Sequence, residues 1–316
     1  MKIVHISIPN NVVPPEGYGG TERVVHWLSK AQVEAGHTVY VVAPEGGDSP
    51  AINIPIPLWG SEEEAYNTSY QVILDIKPDI VHDHTFSQLF RLRHSDIPGI
   101  STHHNERFEP VPNTVYPTQA DARSNGSDIF VHHGLDLGEY SFCDEKEDFC
   151  LFLGAIHPRK NVDIAINIAE KAKMPLIISG PVRHPGYFAK KVRKRLTDKI
   201  VYRGETFGIL KKHLLKKARA FFYPSSWESF GLSVIEAMVS GTPVILSDIP
   251  PFHEIVKEGA TGFICKNKKE FLSALERLPE IQSSVCRDHV VKNFSNIKMA
   301  KGYEDLYFKV LNKDHW

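Results

Sequence analysis

The sequence predicts an α/β protein made of two doubly wound parallel-sheet domains. Three observations carry this. Short apolar runs alternate with longer amphipathic segments along all 316 residues, the pattern of parallel strands joined by helical crossovers. The length accommodates two domains of ordinary size. Charge is divided unevenly: residues 1–140 hold 8 Lys+Arg and 18 Asp+Glu against 29 and 20 in the remainder, so the net −1 conceals halves of −10 and +9.

The first half offers strands at Lys2–Ser7, Thr38–Ala43, Ile80–His84, Ile100–His104 and Ile129–His132. The second offers Leu151–Ile156, Leu176–Ser179, Ile200–Gly204, Ala220–Tyr223 and Val244–Ser247. Helical periodicity falls between them at Thr21–Ala35, Asn161–Ala172, Gly186–Leu196, Phe207–Ala218 and Leu232–Val239. Residues Leu137–Asp148 are acidic and irregular and read as a linker. The final FSNIKMAKGYEDLYFKVL reads as a helix with Ser295 as N-cap. The expected divisions are 1–138, 139–294 and a terminal helix in 295–316.

A hydrophobic content of 42% with 24% charged residues fits a soluble globular chain. No apolar run approaches the ~20 residues that span a bilayer. MKIVHISIPNN lacks the apolar core of a signal peptide. Cys143, Cys150, Cys265 and Cys286 show no C-x-x-C spacing, which suits a reducing cytoplasm. The basic second half suits a phosphate-bearing ligand, and the acidic first half argues against docking that half on anionic lipid. The basic runs KKVRKR (190–195) and KKHLLKK (211–217) read as solvated helix faces. No aromatic-interleaved basic face points to nucleic acid.

The most informative segment is FFYPSSWESFGLSVIEAMVSGTPVILSD. A strand-like run leads into a turn at Phe230 and Gly231 and then a helix from Leu232. Backbone N–H groups at a helix N-terminus favour phosphate. Glu228 before that terminus and Glu236 one turn inside are acceptor-only carboxylates. A ligand carrying phosphates and hydroxyls together, such as a nucleotide sugar, suits them.

The segment resembles the signature of the retaining glycosyltransferases of family 4, whose GT-B fold implies two Rossmann-like domains facing each other across a cleft. Pro224, Ser225, Glu228, Phe230, Gly231, Glu236, Ala237, Gly241, Pro243 and Val244 all fit its P-S-x-x-E-x-F-G…E-A-x-x-x-G-x-P-V pattern. Other matches follow in family order. GYGGTERVV resembles the Gly-Gly loop that approaches the donor phosphates, at Gly19 and Gly20. Ser101–His104 resembles the Thr-x-His element, which puts His104 against the sugar or acceptor. GAIHPRKNVDIAI places Lys160 at the lysine that stabilises the diphosphate and Asn161 after it. The family arginine is replaced by Ala155, with Arg159 or Arg203 as substitutes. YRGET resembles the element around the nucleotide base, with Gly204 and Glu205. VHHGLD (131–136) resembles a turn before the linker.

The resemblance implies a glycosyltransferase that uses a nucleotide-sugar donor, a UDP-sugar favoured, and a carbohydrate or glycolipid acceptor, with membrane association at most peripheral. Glu236 would bind the ribose. Glu228 with the backbone of Phe230, Gly231, Leu232 and Ser233 would bind the sugar. Lys160, with Arg159 or Arg203, would neutralise the departing diphosphate, and His104 would position the reacting sugar. No Asp-x-Asp closes a strand, so a divalent metal is not required, and no cofactor is expected.

Three other readings arise. His82-x-His84 has a spacing that could chelate zinc, but no cysteine cluster or further acidic ligand accompanies it, and packed, hydrogen-bonded imidazoles account for His82, His132 and His133. A nicotinamide-dependent oxidoreductase would need a G-x-G-x-x-G turn that Gly17, Gly19 and Gly20 do not supply. A catalytically weak sugar-nucleotide-binding protein is compatible with Ala155.

Overall fold

The computed structural model describes residues 1–105 and 111–316. The chain forms two compact units, Met1–Asp136 with Phe294–Trp316, and Leu137–Asn293.

The first unit holds a six-stranded sheet of β1 (Lys2–Ile6), β2 (Thr38–Pro44), β3 (Ile52–Ile56), β4 (Ile80–Asp83), β5 (Gly99–Thr102) and β6 (Thr114–Val115). Their order is β3-β2-β1-β4-β5-β6, parallel throughout. β1 and β4 are buried on both faces, as a sheet covered by crossover helices requires. The helix Gly20–Glu34 buries Val24, Val25, Leu28, Ala31 and Gln32, one stripe at helical spacing. The terminal helix Asn296–Leu311 belongs to this unit. Ser295 caps it by accepting from the Lys298 N–H.

The second unit repeats the plan with β7 (Cys150–Leu153), β8 (Leu176–Ser179), β9 (Ile200–Tyr202), β10 (Ala220–Tyr223), β11 (Val244–Ser247) and β12 (Gly262–Cys265). The order β12-β11-β10-β7-β8-β9 becomes the same sequence of positions once strands are counted from the start of each unit. In both sheets the strand order reverses beside the first strand, between β1 and β4 and between β7 and β10. Ligands of open α/β sheets bind outside the carboxyl ends of the strands at such reversals.

Some expectations need correction. Ile129–His132 is not a strand; Phe130 makes only a single bridge to Tyr116. The expected helix Gly186–Leu196 is broken into a turn at Pro185–Tyr187, a π-helical stretch Phe188–Val192 and a 3₁₀ turn Arg193–Arg195. β5 ends at Thr102, so His103 and His104 lie beyond it. Among the described residues no helix is long and apolar enough to cross a membrane.

Candidate active site

At the β7/β10 reversal, two loops leave adjacent strands. The first turns through Pro158–Lys160, where Asn161 adopts a left-handed conformation (φ 51°) and its side-chain amide donates to the Pro224 carbonyl at 2.9 Å. This bond ties the first loop to the second, Pro224–Gly231. Across it Lys160 Nζ donates to Glu228 Oε1 at 2.5 Å, with both side chains largely buried. The lysine and the first glutamate of the motif are therefore ion-paired. The Arg159 guanidinium lies 5.0 Å from the Trp227 ring centroid, and the Arg159 carbonyl accepts from the Ser225 and Ser226 hydroxyls.

The second loop ends in the helix Leu232–Val239, which has no side-chain cap and no acidic residue in its first turn. Gly231 precedes it at φ 119°, and a Cβ there would stand 3.0 Å from the Phe252 ring. Both facts require glycine. Phe230 is buried beside this turn, and Leu232 and Ser233 open the helix. Glu236 is 3% exposed, and its Oε1 accepts from Tyr140 Oη and Lys211 Nζ, each at 2.7 Å. A buried carboxylate needs such partners. Sequence reasoning missed both. Lys211 had been placed on a solvated face and Tyr140 in a linker. The one available signal was helical spacing: Lys211 stands three and four residues before Leu214 and Leu215, on the face this helix buries.

Gly204 adopts φ 71°, and its carbonyl accepts from the Gly180 N–H and the Ser179 hydroxyl. Glu205 and Arg203 are exposed on the strand-end loop. No contact in the described residues joins Arg203 to Lys160.

In the first unit, Gly19 precedes the helix Gly20–Glu34 in an extended conformation, and a Cβ on it would lie 2.9 Å from both the Pro15 ring and the Glu22 carboxylate. Gly20 is the first helical residue. The β1/β4 reversal is lined with imidazoles. His5 Nδ1 meets His84 Nε2 at 3.1 Å, and His84 Nδ1 meets His104 Nε2 at 3.0 Å. His82 Nδ1 meets Tyr307 Oη at 2.8 Å and its Nε2 meets Thr102 Oγ1 at 2.6 Å. His5 Nε2 bonds Gln32 Oε1 at 2.7 Å. Ligand atoms of His5, His82 and His84 lie within 4.8 Å of one another, the spacing of a metal trio. Every one of their six ring nitrogens is already spent on a hydrogen bond, so the cluster is a hydrogen-bond relay. Burial drives all of these groups toward the neutral form: His5 falls to about 4, and His82, His84 and His104 fall well below 6.5.

Two family models match the chain: Glycosyl transferases group 1 over residues 140–292 and Glycosyltransferase Family 4 over residues 18–130. An O-antigen chain mannosyltransferase RfbU of Salmonella typhimurium is 31% identical over 54% of this chain and 51% of its own length. A UDP-Gal:alpha-D-GlcNAc-diphosphoundecaprenol alpha-1,3-galactosyltransferase of Escherichia coli is 29% identical over 66% of this chain and 60% of its own. The chain thus spans between about half and three fifths of the length of these two relatives. Among solved structures, AviGT4, a glycosyltransferase involved in avilamycin A biosynthesis, superposes with a TM-score of 0.82 at 26% identity, covering 100% of this chain and 99% of that one. A sucrose-phosphate synthase from Thermosynechococcus elongatus, at 19% identity and a TM-score of 0.78 over 99% and 100% of the two chains, shares the fold.

Proposed function

We propose that this chain, which has the GT-B fold and resembles the glycosyltransferases of group 1 and family 4 in both its halves, is a metal-independent retaining glycosyltransferase. It moves a sugar from a nucleotide diphosphate donor to an acceptor hydroxyl. The observation that carries the reading is the Lys160–Glu228 ion pair in front of a helix N-terminus without a side-chain cap, with Glu236 one turn inside.

Donor phosphates compete with Glu228 for the Lys160 ammonium. Once Lys160 faces the diphosphate, Glu228 is released to accept from sugar hydroxyls. The backbone N–H groups of Leu232 and Ser233 add their partial positive charge to the same phosphates. Glu236, held in place by Tyr140 and Lys211, binds the ribose hydroxyls. Arg159, adjacent to Lys160, supplies the cation that Ala155 cannot. In the transfer step the bond from the anomeric carbon to the phosphate oxygen breaks and a bond to the acceptor oxygen forms on the same face. The leaving diphosphate takes the acceptor proton. Gly19 and Gly20 approach the phosphates, Gly204 and Glu205 the base, and His104 the reacting sugar.

The galactosyltransferase relative, whose name specifies a UDP-galactose donor and a lipid-linked acceptor, favours a UDP-sugar and a carbohydrate or glycolipid acceptor in glycan assembly. Such an acceptor needs no more than peripheral contact with a membrane from the cytoplasmic side.

A thermal-shift panel of UDP, GDP, ADP and their sugars tests this on wild type and Glu236→Ala. A ligand at 100 times its dissociation constant adds about 2.7 kcal/mol. Stabilisation by uridine nucleotides, lost in Glu236→Ala, is expected. Silence from every nucleotide with a folded protein overturns the donor site. Binding with neither transfer nor hydrolysis identifies a sugar-nucleotide-binding protein.

A further inference from the structure

The imidazole relay of the first unit has a direction. Gln32, buried in the helix Gly20–Glu34, presents its carbonyl oxygen to His5 Nε2 and its amide nitrogen to Tyr307 Oη at 3.2 Å. A carbonyl only accepts, so His5 carries its proton on Nε2. A neutral imidazole has one N–H, so His5 Nδ1 holds a lone pair and accepts from His84 Nε2. The same logic then applies one ring further. His84 Nδ1 holds a lone pair and accepts from His104 Nε2. His104 therefore carries its proton on Nε2 and leaves a lone pair on Nδ1. Burial keeps each ring neutral, which the logic requires. Tyr307, taking a hydrogen bond from Gln32, is free to donate to His82 Nδ1, so the second branch is compatible with the first. Among the described residues nothing bonds His104 Nδ1, and His104 is half-buried where His5 and His84 are fully buried.

We propose that Gln32 is a positioning residue for His104: through His5 and His84 it fixes the tautomer in which Nδ1 is a pure acceptor, so His104 takes a hydrogen bond from a sugar hydroxyl rather than donating one. This rests on the reading above that His104 meets the sugar. It extends that reading by naming what sets the polarity of the contact, a glutamine two imidazoles away.

The test is a two-bond ¹H–¹⁵N correlation spectrum of histidine-labelled protein without ligand at pH 7.5, with His104 assigned by its loss in His104→Gln. The expected pattern is a pyrrole-type shift at Nε2 and a pyridine-type shift at Nδ1. A wild-type spectrum with the reverse pattern, or with averaged shifts, overturns the relay without recourse to any further variant. In Gln32→Met the acceptor for His5 is gone, so the His104 shifts should move toward each other and kcat should fall about tenfold with donor KM little changed. Unchanged His104 shifts in a folded Gln32→Met overturn the assignment of control to Gln32. His104→Ala with undiminished turnover overturns the sugar contact, and that result leaves the tautomer spectrum to judge the relay separately.

Discussion

The two units share one strand order and differ in what fills the same topological position. Beside β7 and β10 stand charges: Lys160 against Glu228 and Lys211 against Glu236. Beside β1 and β4 stand neutral rings: His5, His82, His84 and His104, joined nitrogen to nitrogen or through hydroxyls and an amide. Charged pairs can exchange partners when a phosphate arrives, so that position is suited to binding and to stabilising a leaving group. A neutral relay has no exchangeable charge, and its strength is fixed geometry. One fold thus offers an electrostatic end and a positional end from the same strand order.

Mutation separates them most sharply at Lys160. Lys160→Ala should lower kcat/KM, read as nucleotide release from the donor, by about 10²–10³, whereas His104→Ala should cost about tenfold. Equal losses would break the division.

Acid sharpens it next. An imidazole that is neutral when folded but protonates when unfolded contributes its stability above pH 6.5 and loses it as pH falls toward the folded value. For His5, at about 4, the loss is about 3 kcal/mol. His133, at about 3, and His82, His84 and His104 act in the same sense. Asp83 acts oppositely, because burial holds its carboxyl at about 6 and acid relieves that cost; it offsets roughly one of the five histidines. Amide exchange, corrected for intrinsic rate, should therefore accelerate in Met1–Asp136 and Phe294–Trp316 between pH 6.5 and 4 before it does in Leu137–Asn293. Simultaneous loss in both units would contradict the contrast.

The smallest effect is at Ser295. Removing its cap in Ser295→Ala should cost about 1 kcal/mol, seen as faster exchange in the first unit with residues 137–293 unmoved.

The central strands were legible from their apolar runs, and the misses cluster at sheet edges. β3, β6 and β12 are all edge strands. Ile52–Ile56 contains Pro55, which an edge tolerates and a central strand does not. Thr114–Val115 is two residues long, and Gly262–Cys265 opens on a glycine. Ile52–Ile56 buries only Ile54 and Ile56, and Thr114–Val115 is too short to carry a pattern. In the site, Lys160, Glu228 and Glu236 could be found because they sit at fixed spacings on turns and a helix end. Tyr140 and Lys211 reach Glu236 across 96 and 25 residues, separations at which no local spacing speaks. The relay was visible only as scattered histidines at strand ends. Its direction depends on Gln32, a residue that in sequence is one more polar position on an amphipathic helix.

The path of the chain has a consequence for biogenesis. Leu137–Asn293 is contiguous, so it can complete its fold as soon as it has left the ribosome. The unit begun first cannot. His82 and Thr102 meet Tyr307 and Tyr303 only when the helix Asn296–Leu311 has been made, so during synthesis this unit waits, its relay open to water, for a segment made after the whole of Leu137–Asn293.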